Sequence, residues 1–251
     1  MLIEEEPVPV GISPYYRDEH ATLYLADCRD VLGGLRDLKL LIADPPYGEG
    51  WKSNFGQNHA VMAGDRVGGK SETVEILDLA CQSIQNDRHA YIFGDFDLAP
   101  TRNLTAKADL VWNKMGSAVG DLSIPWIATW EPITFAVKTR PGRKQKGTVG
   151  GLTARQRQGA VLSVPKRNSV ETRRHPSEKP VDLLRLLIES SSIIGETVLD
   201  PFAGVGSTGV AATLEGRKSV LIEIEESYCE VAAERLARAS AAMDVLRRSV
   251  I

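Results

Sequence analysis

Four short apolar runs in this chain each end beside an acid, and helical periodicity separates them; few folds accommodate that alternation. Residues 22–26 lead to Asp27, Leu38-Lys39-Leu40-Leu41-Ile42-Ala43 leads to Asp44, Thr197-Val198-Leu199 leads to Asp200, and the run 219–224 carries Glu223 near its carboxyl end. Helices are expected at 28–35, 207–215 and 226–248. The pattern predicts an α/β fold: a mainly parallel sheet with helices on both faces. Joined end to start, the last and first parts of the chain form one continuous series of β-α-β units, so its order is circularly permuted. Open α/β sheets bind ligands outside the carboxyl ends of their strands, and one pocket would collect Asp27, Asp44, Asp200 and Glu223.

The middle of the chain completes the sheet. A helix is expected at 71–85, and strands near 90–93, 109–112 and 133–137. From Pro180 to Ile193, Val181, Leu184, Leu187 and Ile188 recur at helical spacing, with Pro180 suited to a first turn. Residues 1–251 read as one domain, a size that fills a single α/β core with an insertion.

Asp44 opens the tetrapeptide Asp44-Pro45-Pro46-Tyr47. Each proline fixes its own φ and pushes its predecessor toward extended geometry, so the Asp44 side chain and the Pro45 carbonyl become two stiffly held acceptors. An exocyclic amine on a nucleobase is a poor nucleophile because its lone pair is delocalised into the ring. Two hydrogen bonds from its protons to these acceptors favour the pyramidal nitrogen that forms as a methyl group arrives. Tyr47 supplies a face on which the base can stack. The bland alternative is a loop start after a strand.

The second site is Asp200-Pro201-Phe202-Ala203-Gly204-Val205-Gly206-Ser207-Thr208-Gly209. Its glycines allow a tight turn, Ser207 is expected to cap the following helix, and Glu223 can bind the two hydroxyls of a ribose. Gly204, Gly206 and Gly209 also satisfy the dinucleotide pattern G-x-G-x-x-G, with Glu223 roughly 20 residues on from the first glycine. Taken by itself, this segment fits a nicotinamide cofactor or S-adenosylmethionine equally. Asp200 tips the balance, because an acid before the turn repels a pyrophosphate and can bind the ammonium of a methionine moiety.

With these motifs in this order, and with His175-Pro176-Ser177-Glu178-Lys179-Pro180 just upstream of the glycine loop, the chain resembles the permuted β class of amino-group DNA methyltransferases, the N6-adenine and N4-cytosine family. Tyr24 to Leu32, Trp112-Asn113-Lys114, Glu131 to Phe135, Tyr228 and Arg235 also fit that family's pattern, so the likeness covers most of residues 20–240. It implies a Rossmann-like S-adenosylmethionine-dependent methyltransferase sheet, S-adenosylmethionine as cofactor with S-adenosylhomocysteine as product, double-stranded DNA as partner, and no metal. Asp44, Pro45, Pro46 and Tyr47 would be catalytic. Asp27 would accept a hydrogen bond from the cofactor's adenine. Cys28, Asp44, Lys179, Asp200, Pro201, Phe202, Ala203, Gly204, Gly206, Ser207, Thr208 and Glu223 would complete the cofactor site, Lys179 near the cofactor's carboxylate. Asp at position 44 favours adenine, since the cytosine enzymes more often begin the motif with Ser. A homodimer and a cognate restriction endonuclease are further partners implied by the family. RNA and protein-amide methyltransferases usually place the cofactor loop before the tetrapeptide, and a non-enzymatic DNA-binding module would leave that loop without purpose.

Charge is distributed unevenly. Between Lys138 and Lys179 twelve basic residues face two acidic ones, Glu171 and Glu178, in a chain whose net charge is −3. Residues 139–174, rich in Gly, are expected to be a basic insertion for target recognition, with Lys138, Arg140, Arg143, Lys144, Lys146, Arg155, Arg157, Lys166, Arg167, Arg173 and Arg174 meeting DNA. The competing reading is a solvated basic loop. Residues 49–70, with Trp51 and Phe55, could close over an extruded nucleotide or form a surface loop. Cys28, Cys81 and Cys229 have no metal or disulfide spacing, and no apolar run is long enough to span a membrane, so a cytoplasmic protein with reduced thiols is expected.

Overall fold

Consecutive apolar residues in Leu38–Ala43 form a strand buried on both faces: Leu40 and Ile42 enter one core cluster, Leu41 and Ala43 the other. Side chains alternate across a pleated strand, so a run without polar interruption can be stable only between two helical layers. The computed structural model describes residues 11–46, 69–99, 101–116, 123, 125–139, 159–166 and 178–249. Tyr47, Trp51, Phe55, His175 and every expected DNA-contacting residue except Lys138 and Lys166 lie outside these.

The elements in chain order are β1 (Tyr16–Arg17), β2 (Ala21–Leu25), α1 (Cys28–Leu32), β3 (Leu38–Ala43), α2 (Lys70–Ser83), β4 (Ile84–Phe93), β5 (Leu104–Asn113), β6 (Trp130–Lys138), β7 (Val161–Ser163), α3 (Val181–Ser191), β8 (Thr197–Asp200), α4 (Ser207–Leu214), β9 (Lys218–Glu223) and α5 (Glu226–Ser249). Among the described residues nine strands form one sheet in the order β1-β2-β9-β8-β3-β4-β6-β5-β7. Strands β2, β9, β8, β3 and β4 are mutually parallel, and β6 runs antiparallel between β4 and β5. Helices α1 and α2 bury Val31, Leu32, Leu77 and Ala80 against one face. On the other face α3 buries Leu183, Leu184, Leu187 and Ile188, and α5 buries Cys229, Ala232 and Leu236.

Strand β2 pairs in parallel with β9, so the first and last parts of the chain meet in the sheet as the permuted order requires. Three strands, β4, β5 and β6, run longer than their apolar cores suggest. Strand β4 begins directly after α2, its first half carrying the polar Gln85, Asn86, Asp87 and Arg88, and β5 has an exposed stretch at Ala106–Asp109. Backbone pairing, not burial, extends them, and hydrophobic periodicity is blind to that.

Candidate active site

Strand β8 lies between β9, its successor in the chain, and β3, from the opposite end of the chain. From this pair the connections depart in opposite directions, which opens a crevice beyond the carboxyl ends of the strands. Asp200 is the last residue of β8, and Asp44 follows directly on β3.

Asp200 is buried, its Oδ2 accepting from the Thr208 hydroxyl (2.5 Å) and its Oδ1 from the Phe202 N–H (3.0 Å). Burial pushes its pKa up to about 7; the two hydrogen bonds oppose this, and the charges of Asp44 and Glu223 add to it. Glu223 ends β9 and accepts from the backbone N–H groups of Gly204 (2.7 Å), Ile224 and Glu225 (both 2.9 Å). Burial raises its pKa as well. Carboxylates crowded into a desolvated crevice favour a cationic ligand, which relieves both the burial penalty and their mutual repulsion. A ligand carrying an ammonium and a sulfonium fits that donor set; a pyrophosphate does not.

The loop from Ala203 to Gly206 turns onto α4. Gly206 is the N-cap residue at φ 75°, and a Cβ there would lie 2.9 Å from the Ala232 Cβ, so both backbone and packing demand glycine. Ser207, expected to be the cap, is instead the first helical residue. A left-handed cap residue puts Ser207 inside the turn, and its hydroxyl approaches Glu178 (3.4 Å) while accepting from Arg235 (3.2 Å). Arg235 also donates to the Val205 carbonyl (2.6 Å) and to Glu178 (2.7 Å), fastening the loop to the segment before α3.

Next to Glu178, Lys179 is 7% exposed, with Nζ 2.7 Å from Asp44 Oδ2 and 2.8 Å from Glu131 Oε1. Burial disfavours its charge, but the two carboxylates outweigh this and raise its pKa. The lysine expected near the cofactor's carboxylate is thus engaged by two carboxylates of the protein. Lys114, just past β5, reaches the other Glu131 oxygen at 3.1 Å. Thr73 on α2 donates to the Pro46 carbonyl (3.4 Å), anchoring the segment that follows β3.

Asp27 caps α1 by accepting from the Arg29 N–H (2.9 Å), and the Arg29 side-chain hydrogen bond holds its carboxyl below the usual range. Cys28 packs in the core, burial pushing its thiol up to about 12, so its side chain stays neutral. Pro201, Ala203 and Thr208 are buried and Phe202 half-buried around the same turn. Lys138, one of the residues expected to meet DNA, has partners within the protein. It ends the antiparallel β6, at the sheet edge opposite Asp44, and its ammonium donates to the Gln82 (3.1 Å) and Ile84 (2.6 Å) carbonyls at the end of α2. There it satisfies helix-terminal acceptors, at the end of the strands away from Asp44. Lys166 lies just past β7 and pairs its backbone with Lys114. In the sequence Glu131 stands out only as the start of a segment, Glu131 to Phe135, that fits the resembled family's pattern. Because β6 is antiparallel, Glu131 near its amino-terminal end reaches the edge where the parallel strands end, and a search for acids at carboxyl ends passes over it. Among the described residues no cluster of metal-ligating side chains occurs.

This sheet and crevice have the architecture of a Rossmann-like S-adenosylmethionine-dependent methyltransferase. The family model for DNA methylases of the N6/N4 type matches residues 38–234. The chain therefore belongs to the N6/N4 DNA methylase family. It is 27% identical to the DNA adenine methyltransferase YhdJ of Escherichia coli (strain K12) over 245 residues, covering 80% of this chain and 76% of that protein. It is 24% identical to the type II methyltransferase M2.LlaDCHI of Lactococcus lactis subsp. cremoris over 257 residues, covering 89% and 91%. Some matches are local: that to M.ScaI of Streptomyces caespitosus, 42% over 76 residues, spans 30% of this chain and 25% of that protein. Among solved structures, the PvuII cytosine-N4-specific DNA methyltransferase superposes with TM-score 0.66 at 15% identity, covering 90% of this chain and 89% of that one. The M1.HpyAVI complex with S-adenosylmethionine gives 0.60 at 20% identity, covering 86% and 98%. At these identities the likeness is one of fold.

Proposed function

We propose that this protein methylates the N6 amine of adenine in double-stranded DNA at specific sites. The observation that carries this reading is the placement of Asp44 and Asp200 at the ends of adjacent parallel strands, on either side of the chain reversal. Asp200 and Glu223 hold the cationic and ribose ends of the cofactor, and Asp44 faces the same crevice from the next strand. Bound S-adenosylmethionine supplies a methyl group on a sulfonium and leaves as S-adenosylhomocysteine. The residues do the rest. The adenine leaves the duplex stack, the Asp44 carboxylate and the Pro45 carbonyl accept its two amine protons, and Tyr47 stacks on its face. The nitrogen, made pyramidal, is aligned for in-line attack, and one proton passes to solvent after transfer.

Aspartate at position 44 supports adenine over cytosine, as does the relation to an adenine methyltransferase along most of the chain. The basic residues of 139–174 supply phosphate contacts and part of the base readout. Kinship with type II methyltransferases supports a cognate restriction endonuclease, and the family likeness a homodimer. Substituting Asp44→Ala tests the mechanism: transfer to DNA should vanish while cofactor titration still saturates. Retained transfer in that variant contradicts the assignment.

A further inference from the structure

We propose that Glu131 is a positioning residue for methyl transfer: acting through Lys179, it fixes the Asp44 carboxylate where the target amine must meet it. This rests on the reading of Asp44 given above. Lys179 has almost no access to solvent, and a buried ammonium must find its acceptors within the protein. It finds Asp44 Oδ2 at 2.7 Å and Glu131 Oε1 at 2.8 Å, while the Phe93 ring covers a third side with its centroid 5.0 Å from Nζ. Glu131 is held in turn. Its Oε2 meets Lys114 at 3.1 Å, and Lys114 lies over the Trp112 ring at 5.4 Å. The sheet fixes this arrangement, because Trp112 pairs with Glu131 across β5 and β6, and Phe93 pairs with Ile133 across β4 and β6. Charges therefore alternate from solvent to site as Lys114, Glu131, Lys179, Asp44.

The consequence for the reaction is electrostatic. As the amine gains positive charge, its stabilisation depends on how much of the Asp44 charge remains available to it. An ammonium held by Asp44 alone would concentrate its charge on that carboxylate, weakening the acceptor and placing a cation nearer the developing one. Glu131 shares the ammonium, accepting from the same Nζ at 2.8 Å. Its own side chain sits with the lysine, so its removal should act on the rate of transfer and spare the cofactor.

The test is a double-mutant cycle on the full chain with Glu131→Gln and Lys179→Met, read by cofactor Kd and by the single-turnover rate of methyl transfer to duplex DNA. Wild-type transfer, measured first, tests the parent reading; its absence overturns that reading and this inference together. Given wild-type activity, E131Q is expected to bind cofactor within about twofold of wild type and to transfer at least about tenfold more slowly, and the double variant to be no slower than K179M by more than about threefold, because the two residues act as one unit. A wild-type rate in E131Q, losses that multiply in the double variant, or a cofactor affinity that falls in step with the rate each overturns the inference while leaving the parent reading intact. Should E131Q not fold, Lys114→Met perturbs the same carboxylate from its solvent side and enters the same cycle, with the same non-additivity expected and multiplying losses again overturning it.

Discussion

Asp44 and Asp200 end neighbouring strands, yet their surroundings differ sharply: Asp44 shares a buried lysine with Glu131, while Asp200 has a hydroxyl and a backbone amide for hydrogen-bonding partners in a desolvated pocket. With its pKa near 7 in the folded chain against 3.8 unperturbed, Asp200 binds its proton more tightly folded than unfolded. Its contribution to stability is therefore greatest below the unperturbed value and declines as pH rises through about 7. In the proposed role the ionised form of Asp200 holds the ammonium, so cofactor binding should run the other way: affinity should rise between about pH 6 and pH 7.5. Calorimetric titration across that range checks this, and Asp200→Asn should bind at least about tenfold more weakly and without the pH dependence; a flat wild-type profile contradicts the role. Asp27, Asp44, Asp200 and Glu223 were legible in the sequence because each follows an apolar run. Glu131 was not legible as part of the site, because strand direction, which carries it to the active edge, has no local signature.

At the scale of elements, the turn from β8 into α4 shows what sequence pattern does and does not encode. The glycines were readable as a tight turn, but not which of them would cap the helix. Gly206 adopts the left-handed conformation and packs against Ala232, so Ser207 falls one position too late to cap. Gly206→Ala should therefore cost about 2–4 kcal/mol, combining a left-handed backbone with a side chain forced into close-packed α5. Denaturant unfolding measures it, and a loss below about 0.5 kcal/mol would mean the turn can relax. Strand β3 is legible to the residue because burial on both faces leaves an apolar run interrupted only by Lys39. The ends of β4, β5 and β6 were missed because backbone pairing across solvated edges extends them.

For the whole molecule, permutation brings the two ends of the chain together, with β2 beside β9 and β3 beside β8 on the two sides of one crevice. The order of motifs along the sequence made this legible, since β-α-β units join only in ways that keep the parallel strands adjacent. The proposed function divides the labour by charge: an acidic crevice would take a cationic cofactor, and the basic residues of 139–174 would take phosphates. DNA binding should accordingly weaken with salt with a log–log slope steeper than about −3, and replacing residues 140–158 by a Gly-Ser linker should remove most of that slope while sparing cofactor binding. An unchanged slope would place the DNA contacts elsewhere. The central claim is the identity of the methylated atom. Duplex DNA incubated with the purified protein and S-adenosylmethionine, digested to nucleosides and resolved by mass, should contain N6-methyldeoxyadenosine. N4-methyldeoxycytidine in its place, or no methylated nucleoside, would contradict the account.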